Sequence, residues 1–147
     1  MAGQQFTDRL FAAVDARLAE QAARADALAT RAGIMVAAIA VAASLLAGQV
    51  GSDSKVLWAT YAALGTAAMA GILVLCMARL TGGPSAAQLT LWGSQVDDQL
   101  MSELFAAKVL SVETNQAVLA RVELLFYAQA AATAAATALT LIEVGRL

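Results

Sequence analysis

The chain has 147 residues, 61% hydrophobic, 14% charged and 5% aromatic, with a formal net charge of −2 and mean hydropathy of +0.71. Soluble domains run at about 45–50% apolar and about 25% charged, so these figures exclude disorder, a disulfide scaffold and an ordinary soluble enzyme, and point to a helical membrane protein. With no histidine, one cysteine and a slightly acidic balance, the chain lacks histidine acid–base chemistry, an intrachain disulfide and the basic footprint of a nucleic-acid polymer binder.

Residues 1–31 read as a cytoplasmic amphipathic helix. Phe11, Leu18, Ala25 and Ala32 fall seven apart, and Val14, Gln21, Leu28 and Met35 form the matching second row. Together they make a heptad stripe that runs straight into the first apolar segment. Arg17, Arg24 and Arg31 flank the stripe on one side, Asp8 and Asp15 on the other. Two readings stand for that pattern: pairing with a neighbouring helix, or a solvated helix face.

Three charge-free windows follow: residues 32–52, 56–78 and 124–142. A membrane-spanning helix needs about 20 apolar residues, and all three fit. The first two are rich in Ile, Val and Leu. The third is mostly alanine and threonine, which insert less readily. Some 31 residues of mixed charge precede the first window, which argues against a cleaved signal peptide. Rows of small residues mark each span: Ala40, Ser44 and Gly48; Ala63, Ala67 and Gly71; Ala130, Ala134 and Ala138. Such rows permit close helix approach in lipid, where no hydrophobic drive brings helices together. Three thin helices make a small unit, so association into a homo-oligomer is expected.

Between spans two and three, residues 79–95 form a linker punctuated by Gly82, Gly83 and Pro84, with Trp92 as an interfacial anchor. A second cytoplasmic helix is expected over 96–123, with Asp97 and Asp98 favouring its N-terminal end. Met101, Phe105, Val112, Leu119, Val122 and Phe126 form its stripe, interrupted by Lys108 and Asn115. Polar residues in such a stripe commonly fix register or oligomeric state. This helix is expected to run without interruption into span three.

Lys and Arg placement sets the orientation. Arg9, Arg17, Arg24 and Arg31 precede span one, and Arg79, Lys108 and Arg121 lie between spans two and three. The turn at 51–55 holds only Lys55 and the C-terminus only Arg146. Positive residues favour the cytoplasm, which predicts the N-terminus inside and the C-terminus outside. Thr133, Thr137 and Thr140 are candidate pore-lining residues. The alternative is that they bond their own backbone or a neighbouring helix. Cys76, at the inner end of span two, is a palmitoylation candidate or, more simply, a small buried thiol.

Catalytic constellations are absent. The sequence holds no GxxxxGK[ST], GxGxxG or GxSxG motif and no metal-spaced Cys/His set, so neither an enzyme, a cofactor nor a metal site is expected. One stretch resembles a known group. Ala23-Arg24-Ala25-Asp26-Ala27-Leu28-Ala29-Thr30-Arg31-Ala32-Gly33, leading into a membrane helix, is similar to the start of small bacterial membrane proteins of the Pycsar-effector and SLATT-like type. Those often carry Ala-Asp and then Thr-Lys-Ala or Ser-Lys-Ala. Here Arg31 replaces the lysine. Asn115 followed by Arg121 before the last span resembles a second feature of the group.

The resemblance implies an antiphage effector of the bacterial inner membrane. It implies a response to a nucleotide second messenger, cyclic CMP or cyclic UMP in the Pycsar case, that ends in loss of membrane integrity. Arg24, Asp26, Arg31, Asn115 and Arg121 are the candidate ligand and gating residues: arginine suits phosphate through paired donors, and Asn115 suits a base edge. Interfacial anchoring and salt bridging explain the same residues without a ligand. A holin-like lesion-former and a non-conducting scaffold that docks a soluble partner through its stalks are the alternative functions.

Overall fold

A computed structural model describes the backbone of residues 2–47, 55–79 and 98–144, and the side chains within 9–47, 55–79 and 101–142. Among these residues the fold is all-α: α1 (Ala2–Ala47), α2 (Lys55–Met77) and α3 (Asp98–Val144). The expected outer turn, the Gly82–Gly83–Pro84 linker with Trp92, Asp97 and the side chain of Asp8 lie outside the described residues.

Helix is what this composition dictates. Alanine supplies 38 of the 147 residues and carries the highest intrinsic helix propensity. The sole proline, Pro84, falls between elements. α1 therefore runs unbroken through Gly33, and α3 through Arg121 and Glu123, so each joins an expected cytoplasmic segment to an expected span in one helix. All three helices are long and apolar enough to cross a membrane.

Two compact units divide the chain. The first draws on Met1–Ala25 and Leu80–Leu119, the second on Asp26–Arg79 and Ala120–Leu147. In the first, α1 and α3 run parallel. Asp15 meets Lys108 and Gln21 meets Val112, so the pairing advances in the same direction along both helices. Phe11, Val14 and Leu18 on α1 and Phe105, Val112 and Leu119 on α3 are half-buried or buried, as heptad pairing requires. Met101 departs from this. It is 41% exposed, within a turn of the start of α3, where the stripe has only begun.

The second unit contains all of α2. Its buried face is Leu57, Thr60, Leu64, Ala67, Ala70, Gly71 and Val74. Six of these seven alternate at spacings of three and four, again a heptad face. Ile39, Leu64, Ala67 and Ala136 form the core, with Ala43, Leu46, Ala63, Ala68 and Ala132 packed against it. The rows of α1 thus extend from Ala25 and Ala32 to Ile39, and one row of α3 extends from Asn115 and Val122 to Gln129 and Ala136. The small-residue rows behave differently from one another. Ala67 and Gly71 are buried, whereas Ala40 and Ser44, and Ala134 and Ala138, face outward. A spacing of four drifts off a heptad face, so only the row that coincides with α2's own stripe is used inside one chain.

Candidate functional site

Aromatic and ionic contacts hold the first unit together. Phe11 and Phe105 meet edge-on, with centroids 5.5 Å apart at 79°. Lys108 Nζ lies 5.4 Å from the Phe11 centroid and donates to Asp15 Oδ1 at 2.6 Å. The lysine side chain is 19% exposed and the aspartate 55%, so the ammonium lies between the Phe11 ring and a carboxylate that stays in water. Gln21 Nε2 donates to the Val112 carbonyl at 3.1 Å, and Gln21 Oε1 is buried with no partner. Asn115 is 2% exposed. The polar members of both stripes, Gln21, Lys108 and Asn115, therefore point inward.

A polar side chain also sits inside the second unit. Gln129 is fully buried. Its Nε2 donates to the Ala32 carbonyl at 3.3 Å, the long end of the N–H···O range, and its Oε1 has no partner. The amide fits because α2 presents Gly71. A methyl group there would collide with Gln129 Nε2, would lie 2.5 Å from Val36 Cγ2 and would lie 3.0 Å from Gln129 Cδ. The sequence reading passed over Gln129. Its signal was available: it is the single amide side chain within 124–142, and it falls fourteen residues after Asn115 in the same row.

Each candidate pore threonine bonds its own helix. Thr133 donates to the Gln129 carbonyl at 2.8 Å, Thr137 to the Thr133 carbonyl at 2.9 Å and Thr140 to the Ala136 carbonyl at 2.9 Å. Thr133 and Thr140 are half-buried and Thr137 is exposed, and their spacing of four and three sets them along one stripe of α3. Thr137 and Thr140 also line an open groove of about 280 Å³ with Ala42, Leu45, Leu46, Leu64 and Ala136.

Of the candidate ligand residues, Arg24 and Asn115 belong to the first unit and Asp26, Arg31 and Arg121 to the second. Arg24, Asp26, Arg31 and Arg121 are exposed. Asn115 is buried, so a base could reach it only after its unit had opened. Cys76 is exposed, which corrects the expectation of a buried thiol: it lies off the heptad face that α2 turns inward. Among the described residues no three His, Cys, Asp or Glu side chains cluster as metal ligands would. No family model, curated protein or solved structure matches the chain.

Proposed function

We propose that this chain is an integral protein of the bacterial inner membrane that associates with its own copies and impairs the membrane barrier. In this reading the paired cytoplasmic helices receive the signal. The observation that carries the membrane part is the distribution of exposed side chains. Among its described residues, twelve large apolar side chains of the second unit lie on its outside, with Val41 at 60%, Leu45 at 74%, Trp58 at 72%, Leu124 at 70% and Leu141 at 67%. Among its described residues the first unit exposes three, Leu10, Met101 and Leu110. A water-soluble surface does not carry such a density of apolar side chains, whereas lipid solvates them at no cost.

Self-association draws support from the outward rows Ala40/Ser44 and Ala134/Ala138. They are small surfaces of the kind that membrane helices bring together, and neither is used within one chain. The nucleotide part rests on the resemblance at residues 23–33 and on the exposed charges of Arg24, Asp26, Arg31 and Arg121. The guanidinium groups suit paired bonds to phosphate. A ligand shifts the protein only by binding one arrangement more tightly than the other.

Membrane potential and dye entry during graded expression in bacteria, with and without a co-expressed pyrimidine cyclase, test this function. Depolarisation only with the cyclase supports a gated effector. Depolarisation at a threshold dose without it favours the holin-like alternative. With the protein recovered in the membrane and no change in either condition, a non-conducting scaffold is left.

A further inference from the structure

The Gln129 amide occupies an unusual position. Among the described residues it is the largest fully buried side chain, it lies in the unit that exposes the apolar surface, and one of its two polar atoms is orphaned. Buried acceptors without a partner are rare, because such an atom forfeits its hydration and gains nothing in return. The orphan does not come from a misplaced amide. Exchanging the two atoms would aim Oε1 at the Ala32 carbonyl, acceptor against acceptor. Nor does the site hold water as packed, since Oε1 itself is closed to solvent. Closed packing thus leaves Oε1 with nothing, and a small separation of α3 from α1 at this level admits what it lacks.

We propose that Gln129 is a hydration catch. Packed against Gly71, it joins α3 to α1 through one long bond to the Ala32 carbonyl. When the helices part, water donates to Oε1 and takes over the bonds of Nε2 and the Ala32 carbonyl. The ligand class is water itself. Gln129 lies five residues inside the 124–142 window and Ala32 at the start of 32–52, so in the membrane-inserted reading, on which this inference rests, both sit within about two helical turns of the interface. Water has a short path to them. The unpaired acceptor biases this level of the bundle toward opening, and removing it makes the closed packing more durable.

The experiment uses the full chain in phosphatidylethanolamine/phosphatidylglycerol vesicles. Flotation is followed by hydrogen–deuterium exchange of peptides covering 29–36 and 126–133. Gln129→Met keeps the unbranched length and removes both polar atoms; Gln129→Leu is the second variant, should the first pack poorly. An unsatisfied acceptor corresponds to roughly a 5–150-fold bias. Exchange in both peptides should therefore slow at least about fivefold in either well-packed variant, while peptides from residues 9–20 stay unchanged. Floating protein whose exchange is unaltered or faster in both variants overturns the catch and leaves the membrane reading intact. A chain that does not float overturns both.

Discussion

Two glycines of α2 offer a matched pair of substitutions. At Gly65 an added methyl group meets nothing within 4 Å; at Gly71 it lies 2.5 Å from Val36 Cγ2, 3.0 Å from Gln129 Cδ and against Gln129 Nε2. Both positions are in the helix interior, so the propensity gain of Gly→Ala, about 1 kcal/mol in water, is common to both and cancels in the comparison. What remains is overpacking. The Gln129 tip can swing, but doing so gives up its bond to Ala32. Val36 is β-branched and stiff at χ1, so its methyl group yields only by rotamer strain or a shift of α1. Inserting a methylene-sized group into such a site costs about 1–3 kcal/mol. Gly71→Ala should therefore be about 1–3 kcal/mol less stable than Gly65→Ala, measured by equilibrium unfolding in bicelles. Val36→Ala and Gln129→Ala, combined with Gly71→Ala, should recover part of the loss. If Gly71→Ala and Gly65→Ala differ by less than about 0.5 kcal/mol, the surface-mutation range, the close approach of three helices at Gly71 is not what the packing depends on.

Other expectations concern single contacts. Asp15→Asn and Lys108→Met should each lower stability by about 0.2–1 kcal/mol at low salt; near 1 M salt the aspartate variant's effect should vanish, while the lysine variant still lacks the ammonium's contact with the Phe11 ring, as followed by thermal unfolding. A double-mutant cycle on Phe11 and Phe105, each changed to Leu, should return a coupling of about 0.5–1.5 kcal/mol; additive effects would show that the edge-on pair contributes no more than its buried area. Thr137→Val should leave both membrane abundance and depolarisation unchanged, because its hydroxyl is bonded to its own helix; a changed permeability would place it on a water-filled surface. Arg31→Ala and Arg121→Ala should abolish cyclase-dependent depolarisation at unchanged membrane abundance, and a retained response in both would remove them from ligand binding.

The stripes of the first unit were legible because their surroundings are polar. Phe11, Leu18 and Ala25 stand out against Asp15, Arg17 and Arg24, so the heptad is visible as contrast, and the structure turns that face inward. Inside the spans this contrast disappears. Nearly every residue of α2 is apolar, and the helix chooses its buried face by size and fit: Ala67 and Gly71 go in, Trp58 and Met69 stay out. Polarity patterns do not encode that choice. For the same reason the four-residue spacing of Ala40 and Ser44 pointed to a packed face that the single chain leaves outside. The one polar mark within span three that bears on packing, Gln129, was readable as a letter. Of its partners, the space beside Gly71 was marked by the small-residue row of α2, whereas the Ala32 carbonyl is a backbone feature with no signature in sequence.

The hydroxyl groups of the second unit alter how its surface meets a solvent. Ser44, Thr60, Thr66, Thr133, Thr137 and Thr140 each donate to the carbonyl four residues earlier. Their donors are already spent, so hydrocarbon surrounding them has little left to desolvate. Scales that score threonine and serine as polar charge a transfer cost that the folded helix has already met within itself. Span three, whose threonines made it look the least lipophilic of the three, therefore enters an apolar phase more nearly as a run of alanine and valine would.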